Sequence, residues 1–230
     1  MNLLEKEQLI HVKAEQFENA TPQEIIAWAV ETFPNITLAC SFGAEDVVLV
    51  DMLQKISPSS DIFYLDTDFH FKETYETRDA IAAKYNLEFV RVSPKITPEE
   101  QALQYGEQLW TSDPNACCNI RKVEPLTRVL GGYEAWITGI RRDQAPTRAY
   151  AKKIEYDTKF GLVKFNPLAD WTSEDVWNYI REHNLIYNLL HDRNYPSIGC
   201  EYCTRPVMPG EDPRAGRWAG SDKTECGLHK

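Results

Sequence analysis

The chain has 230 residues, 43% of them hydrophobic and 26% charged, enough apolar material for one core and a small appended lobe. That composition excludes disordered, collagenous and coiled-coil classes. No run approaches the roughly 20 apolar residues of a membrane span, and the N-terminus has no apolar secretory segment. With 25 basic against 35 acidic residues the net charge is −10, which argues against a broad surface for nucleic acid or anionic lipid. A cytosolic protein that holds anionic ligands through local cationic clusters is expected.

In chain order, a helix is predicted over 22–32 behind the N-cap candidate Thr21, followed by a strand over 36–40 and a helix over 44–55. A strand over 62–65, a helix over 71–85 and a strand over 87–92 complete a β-α-β-α-β pattern. A helix over 121–130 leads into a strand over 135–139, and a last helix starts at Thr172-Ser173 and runs to Glu182. Short buried strands alternating with amphipathic helices predict an α/β fold with a doubly wound, mainly parallel sheet. Residues 1–190 read as a nucleotide-binding body and 191–230 as a loop-rich C-terminal segment of the same domain.

Ligands of such sheets bind beyond the carboxyl ends of the strands, so the loops after residues 40, 65, 92 and 139 should face one crevice. The loop Ser41-Phe42-Gly43-Ala44-Glu45-Asp46 joins strand to helix. Its amides suit a phosphate, while Glu45 and Asp46 equally suit the first turn of any helix. In Arg141–Arg148, three arginines in eight residues point to a phosphate or sulfate held by guanidinium forks. The loop Asp66-Thr67-Asp68-Phe69-His70 is compatible with magnesium, ribose or simple helix capping, and its residues do not decide among them.

Six cysteines are too few for a disulfide scaffold, and their placement divides them. Cys40, inside an apolar strand, reads as a small buried hydrophobe. The adjacent Cys117-Cys118 and the C-x-x-C pair Cys200 and Cys203 supply four thiolates, a full set for zinc or a [4Fe–4S] cluster, and would staple the body to the C-terminal segment. Adjacent cysteines fit one small ion poorly and a cubane better. Cys226, left without a partner near the chain's end among Lys223, His229 and Lys230, is a candidate nucleophile on a movable tail.

These residues resemble a known family. SFGAEDVVL, LDTDFHFKET, CCNIRKVEPL, ITGIRRDQAPTRA, GCEYCTRPVMPGEDPRAGRWAG and the terminal KTECGLH are similar to the iron–sulfur type of assimilatory adenylyl-sulfate reductase, within the larger phosphoadenylyl-sulfate reductase family. The resemblance covers nearly the whole chain and implies an adenine nucleotide α-hydrolase-like sheet. It implies a [4Fe–4S] cluster on Cys117, Cys118, Cys200 and Cys203, with Lys122 coupling it to the substrate's sulfate. The Cys226 thiolate would attack the sulfur of adenylyl sulfate, expel AMP and become an S-sulfocysteine, with His229 beside it. Thioredoxin, or a glutaredoxin-like reductant, would then release sulfite. Ser41, Phe42 and Gly43 match the nucleotide loop, Arg141, Arg142 and Arg148 the phosphate-facing loop, and Arg214 and Arg217 sulfate- or phosphate-binding arginines. A homo-oligomer is implied by the resemblance alone.

Three other readings stand beside this one. A reductase of the 3′-phosphorylated substrate, or of both substrates, differs only in its cationic contacts. An ATP pyrophosphatase-type ligase or adenylyltransferase would use the same sheet, with a loop richer in glycine and serine than SFGAED. A zinc-stapled interaction module would use the four cysteines alone.

Overall fold

In the computed structural model, which describes residues 3–228, six strands form one sheet in the order β3-β2-β1-β4-β6-β5. The strands β1 (Ile36–Ala39), β2 (Asp61–Leu65), β3 (Val90–Val92), β4 (Ala135–Ile137) and β6 (Leu162–Phe165) pair in parallel, and only the edge strand β5 (Ile154–Asp157) runs antiparallel to its neighbour. Connections on the two sides of β1 diverge: β2 lies on one flank and β4 on the other. That divergence opens a crevice above the carboxyl ends of β1 and β4, where an open α/β sheet binds its ligands.

The predicted helices start where their caps dictate. Thr21 and Glu24 form a reciprocal capping box at the head of α2 (Pro22–Thr32), and Thr172 and Asp175 do the same for α9 (Ser173–Glu182). Helix α3 (Ala44–Ile56) differs, because Gly43 caps it without a side chain and leaves its first amides turned toward the crevice. Helix α1 (Leu3–Gln16) precedes this core.

Some boundaries differ from expectation. Helix α4 (Lys72–Tyr85) ends at Asn86 in the left-handed conformation, and the Leu87 amide still bonds back to Ala82, so the third strand begins at residue 90 instead of 87. Three short helices, α5 (Pro98–Tyr105), α6 (Leu109–Ser112) and α7 (Pro114–Cys118), occupy a stretch with no predicted element. The helix predicted from residue 121 is α8 (Glu124–Leu130), continuous with α7 through a π turn at Asn119–Val123. There the Glu124 amide reaches back to the Asn119 carbonyl. Pro125, which has no amide to donate and a ring that clashes with a carbonyl one turn earlier, explains why the helix widens at this point.

The sheet is buried on both faces. Helices α2, α3 and α9 pack together over the larger core, in which Ile25, Ile26, Leu38, Val48 and Phe165 are all sealed from solvent. A second apolar cluster of Phe63, Leu126, Leu130 and Trp136 seals the other face under α8. A third, around Phe69, Leu109, Cys117 and Cys200, joins the body to the C-terminal segment.

Candidate functional site

A cleft of about 780 Å³ opens above β1 and β4. Its floor is the loop at the head of α3 with Gly139 opposite, and its far wall comes from the C-terminal segment. Gly139 is required by close approach: a Cβ there would stand 2.3 Å from the Asp46 carboxylate. Asp46 in turn accepts 2.6 Å hydrogen bonds from the Ser41 amide and hydroxyl, fixing the loop. Burial pushes the Asp46 carboxyl up to about 6, although those bonds to Ser41 work against it.

Among the loop residues expected at the nucleotide, Ser41 and Gly43 line the cleft and Phe42 does not. Phe42 takes φ 61° and turns its ring into the core, edge-on to Phe89 with centroids 5.0 Å apart. The strained backbone thus separates an inward aromatic anchor from outward polar neighbours.

The arginines sort by their acidic partners. Arg141 lines the cleft but is tied to Glu45 at 2.9 Å, to Asp143 and to the Trp171 carbonyl. Arg142, expected on the anion-facing loop, pairs instead with Glu18 at 2.7 Å and donates to the Ala151 carbonyl, and it lines no part of the cleft. Arg148, Arg214, Arg217 and Lys122 all line it. Lys122 stays protonated above its usual range: burial opposes its charge, but the sulfurs of Cys200, Cys226 and Cys118 outweigh that and the repulsion from Arg217.

Cys226 lines the same cleft, which brings the tail thiol to the predicted crevice. The tail is held on both sides of it. Glu225 accepts from Arg148, Arg214 and Thr147; the Gly227 carbonyl accepts from Lys159; and Leu228 packs against the Phe63, Leu126 and Trp136 cluster. His229 lies outside the described residues.

Cys117, Cys118, Cys200 and Cys203 surround one narrow cavity with Arg121, Lys122 and Arg217. Strand-like pairing of His70 with Cys200 and the Glu201 amide's bond to the Phe69 carbonyl bring the C-x-x-C segment against the body. The Gln101 amide points to the Cys117 sulfur at 3.8 Å, and the Thr67 hydroxyl is 3.4 Å from the Cys200 sulfur. Burial pushes the Cys117 thiol up to about 11 and the Cys203 thiol up to about 12, with mutual repulsion adding to both. Added positive charge therefore favours the thiolate forms of Cys117 and Cys203. Among the described residues, buried Arg121 Nη2 and Arg217 Nε have no hydrogen-bond partner, and they border the same cavity, as donors suited to an anionic sulfur-rich group. Among the described residues no three His, Cys, Asp or Glu side chains are gathered as closely as one bound ion needs. The donor set fits an iron–sulfur cluster.

The loop after β2 has a structural explanation. Asp66 accepts from Arg91 at 2.6 Å and Tyr75 at 2.7 Å; Asp68 pairs with Arg91 and with buried Arg121; and His70 Nε2 lies 2.8 Å from the Leu65 carbonyl. The sequence pattern does not point to His191, yet its Nε2 is buried in the cleft wall without a hydrogen-bond partner among the described residues, with the ring edge-on to Trp177.

Comparison with known proteins agrees with this geometry. Residues 35–206 match the phosphoadenosine phosphosulfate reductase domain. The chain is 51% identical over 209 residues to an adenosine 5'-phosphosulfate reductase of Halalkalibacterium halodurans, covering 90% of each protein. It is 50% identical to adenosine 5'-phosphosulfate reductase 2 of Bacillus subtilis, covering 90% of this chain and 89% of that one. Among solved structures, a phosphoadenylyl-sulfate (PAPS) reductase of Candida auris in a phosphate complex superposes with a TM-score of 0.75 and 34% identity, over 84% of this chain and 96% of that one. An FMN adenylyltransferase of Candida glabrata shares the fold alone, with a TM-score of 0.60 and 17% identity over 86% of this chain and 67% of that one. With the match spanning most of the chain, the protein belongs to the phosphoadenosine phosphosulfate reductase domain family.

Proposed function

We propose that the protein reduces adenylyl sulfate to sulfite and AMP through an S-sulfocysteine on Cys226, as a step of assimilatory sulfate reduction. The observation that carries this reading is the Cys226 thiol lining the same cleft as the α3 loop, Lys122, Arg214 and Arg217. Relatives at about half identity over nine-tenths of the chain, named for adenosine 5'-phosphosulfate, support the same substrate.

The nucleotide's adenylyl part lies along the loop of Ser41 and Gly43, and its sulfate end faces Lys122, Arg214 and Arg217, which shield the anion from the incoming thiolate. Arg141 and Arg142, committed to acids, shape the loop. Cys226 sulfur forms a bond to the sulfonyl sulfur, and the bond from that sulfur to the phosphate oxygen breaks with its electron pair leaving on AMP. A dithiol protein, thioredoxin in our reading, attacks the Cys226 sulfur, releases sulfite and ends as a disulfide. A cytosolic setting suits such a reductant. Cys117, Cys118, Cys200 and Cys203 hold a [4Fe–4S] cluster, which when bound supplies a staple and a local field. The segment that follows residue 190 is thereby fastened to the 1–190 body, and the tail around Cys226 is the part that moves.

The test is to incubate the protein without reductant, in parallel with adenylyl sulfate and with its 3′-phosphorylated form, and to weigh the peptide containing Cys226. A gain of one SO3 group with adenylyl sulfate supports the reading; an unmodified peptide with both substrates overturns it. The resemblance to the Candida auris protein makes the 3′-phosphorylated substrate the second reading. Adduct formation with that substrate alone favours it.

A further inference from the structure

We propose that Glu225 is the positioning residue for Cys226, and that Arg148 serves as its receptor on the body and not as a ligand of the substrate's anion. The carboxylate is buried, only 6% exposed, although it belongs to a tail of mostly polar residues. Arg148 grips it with both prongs, Nε to Oε1 at 2.9 Å and Nη2 to Oε2 at 2.8 Å. The Thr147 hydroxyl donates to Oε1 at 3.0 Å and Arg214 Nη2 to Oε2 at 3.2 Å. Four donors thus converge on one side chain adjacent to the reacting sulfur.

The third nitrogen of Arg148 is also engaged: Nη1 bonds to Gln144 Oε1 at 2.6 Å. Each of its three nitrogens has a protein acceptor, two on the tail and one on the loop, so the Nε–Nη2 fork that would grip a substrate anion is taken by Glu225 while the tail is docked. Arg214 differs, because the bonds it makes to the tail, to Glu225 and to the Thr224 carbonyl, come from Nη2 alone.

A paired, buried carboxylate is costly to separate from its partners in a dry site and cheap to separate once water enters. The clamp therefore holds Cys226 in the cleft while the site is closed, and its rupture frees the residue for a protein reductant too large to enter. This role rests on the reductase reading, whereas the clamp rests on contacts alone.

The test uses cluster-loaded enzyme with wild-type sequence, Glu225→Gln, Arg148→Lys and the double variant. Three quantities are read: alkylation of Cys226 by iodoacetamide, formation of the S-sulfo adduct from adenylyl sulfate without reductant, and sulfite release from preformed adduct by dithiothreitol. Glu225→Gln should raise alkylation about 10-fold and slow maximal adduct formation by a similar factor, with little change in half-saturating substrate and no loss of sulfite release. Arg148→Lys, which keeps the charge but not the fork, should do the same, and the double variant should add nothing further. Unchanged alkylation in both single variants overturns the clamp. So does a rise in half-saturating substrate with maximal adduct formation preserved in Arg148→Lys, since Arg148 is then an anion ligand. If the wild type forms no adduct, the reductase reading fails, and alkylation alone decides the clamp.

Discussion

Two stretches of the same C-terminal segment are fastened to the body by different physics. Residues 199–218 are held by backbone pairing of Cys200 with His70 and the Glu201 amide's bond to the Phe69 carbonyl, by the stack of Tyr202 on Trp110 at 4.3 Å, and by thiols sharing a cavity. Residues 224–228 are held to the body by the Glu225 carboxylate, the Gly227 carbonyl and Leu228, with the Thr224 carbonyl bonded to Arg214 inside the segment. The first stretch has the redundancy of a permanent joint. The second has few contacts, each separable by water, as a thiol that must visit two partners requires.

The largest expected effect falls on the second stretch. Cys226→Ser should lower sulfite formation by at least about 10³-fold while iron content and melting temperature stay at wild-type levels; turnover within ten-fold of wild type removes the tail thiol from the chemistry. On the first stretch, Cys203→Ser should strip most of the iron and expose residues 205–217 to protease, because one of four ligands is gone. Full iron content in that variant would mean the two stretches are not fastened differently after all.

A subtler contrast concerns the cleft floor. Because burial raises the Asp46 carboxyl from 3.8 to about 6, its ionisation opposes folding. Wild-type stability should fall as pH rises through this interval and level off above it. Asp46→Asn should be flat there, the two differing by on the order of 3 kcal/mol across the window in denaturant titrations. Parallel curves for the two proteins contradict the assignment. The smallest effect belongs to the apolar end of the tail: Leu228→Ala should loosen docking by about 1 kcal/mol, read as about a five-fold rise in alkylation of Cys226.

The central strands were legible because each is a short apolar run with turn residues on both sides, and burial on both faces requires that pattern. The β5–β6 hairpin was not, since its strands carry Glu155, Asp157 and Lys164. Lys164 is buried only because Glu155 lies 3.0 Å away and the Trp136 ring lies beneath it. At the site, the thiols could be sorted by spacing, since a sulfur without a neighbour in sequence stands out. The arginines could not. Arg142 and Arg148 look alike in a row of cations, and only the fold brings one to Glu18 and the other to an acid 77 residues away. Glu225 was hidden for the same reason, being one acid in a tail of mixed charge.

The surplus residue in the helix before α8 has a further consequence. Each residue of an α-helix turns the chain by about 100°, so an insertion uncouples the rotational phase of everything upstream from everything downstream. Downstream, Leu126 and Leu130 are keyed to the sheet; upstream, Cys117 and Cys118 are keyed to the cavity they share with the C-x-x-C pair. With Arg121 directed inward to Asp68 and Lys122 at the cleft, the widened turn allows one rod to obey two masters. Deleting a single residue between 119 and 123 would leave the apolar side in place and swing the sulfur pair a quarter-turn out of alignment.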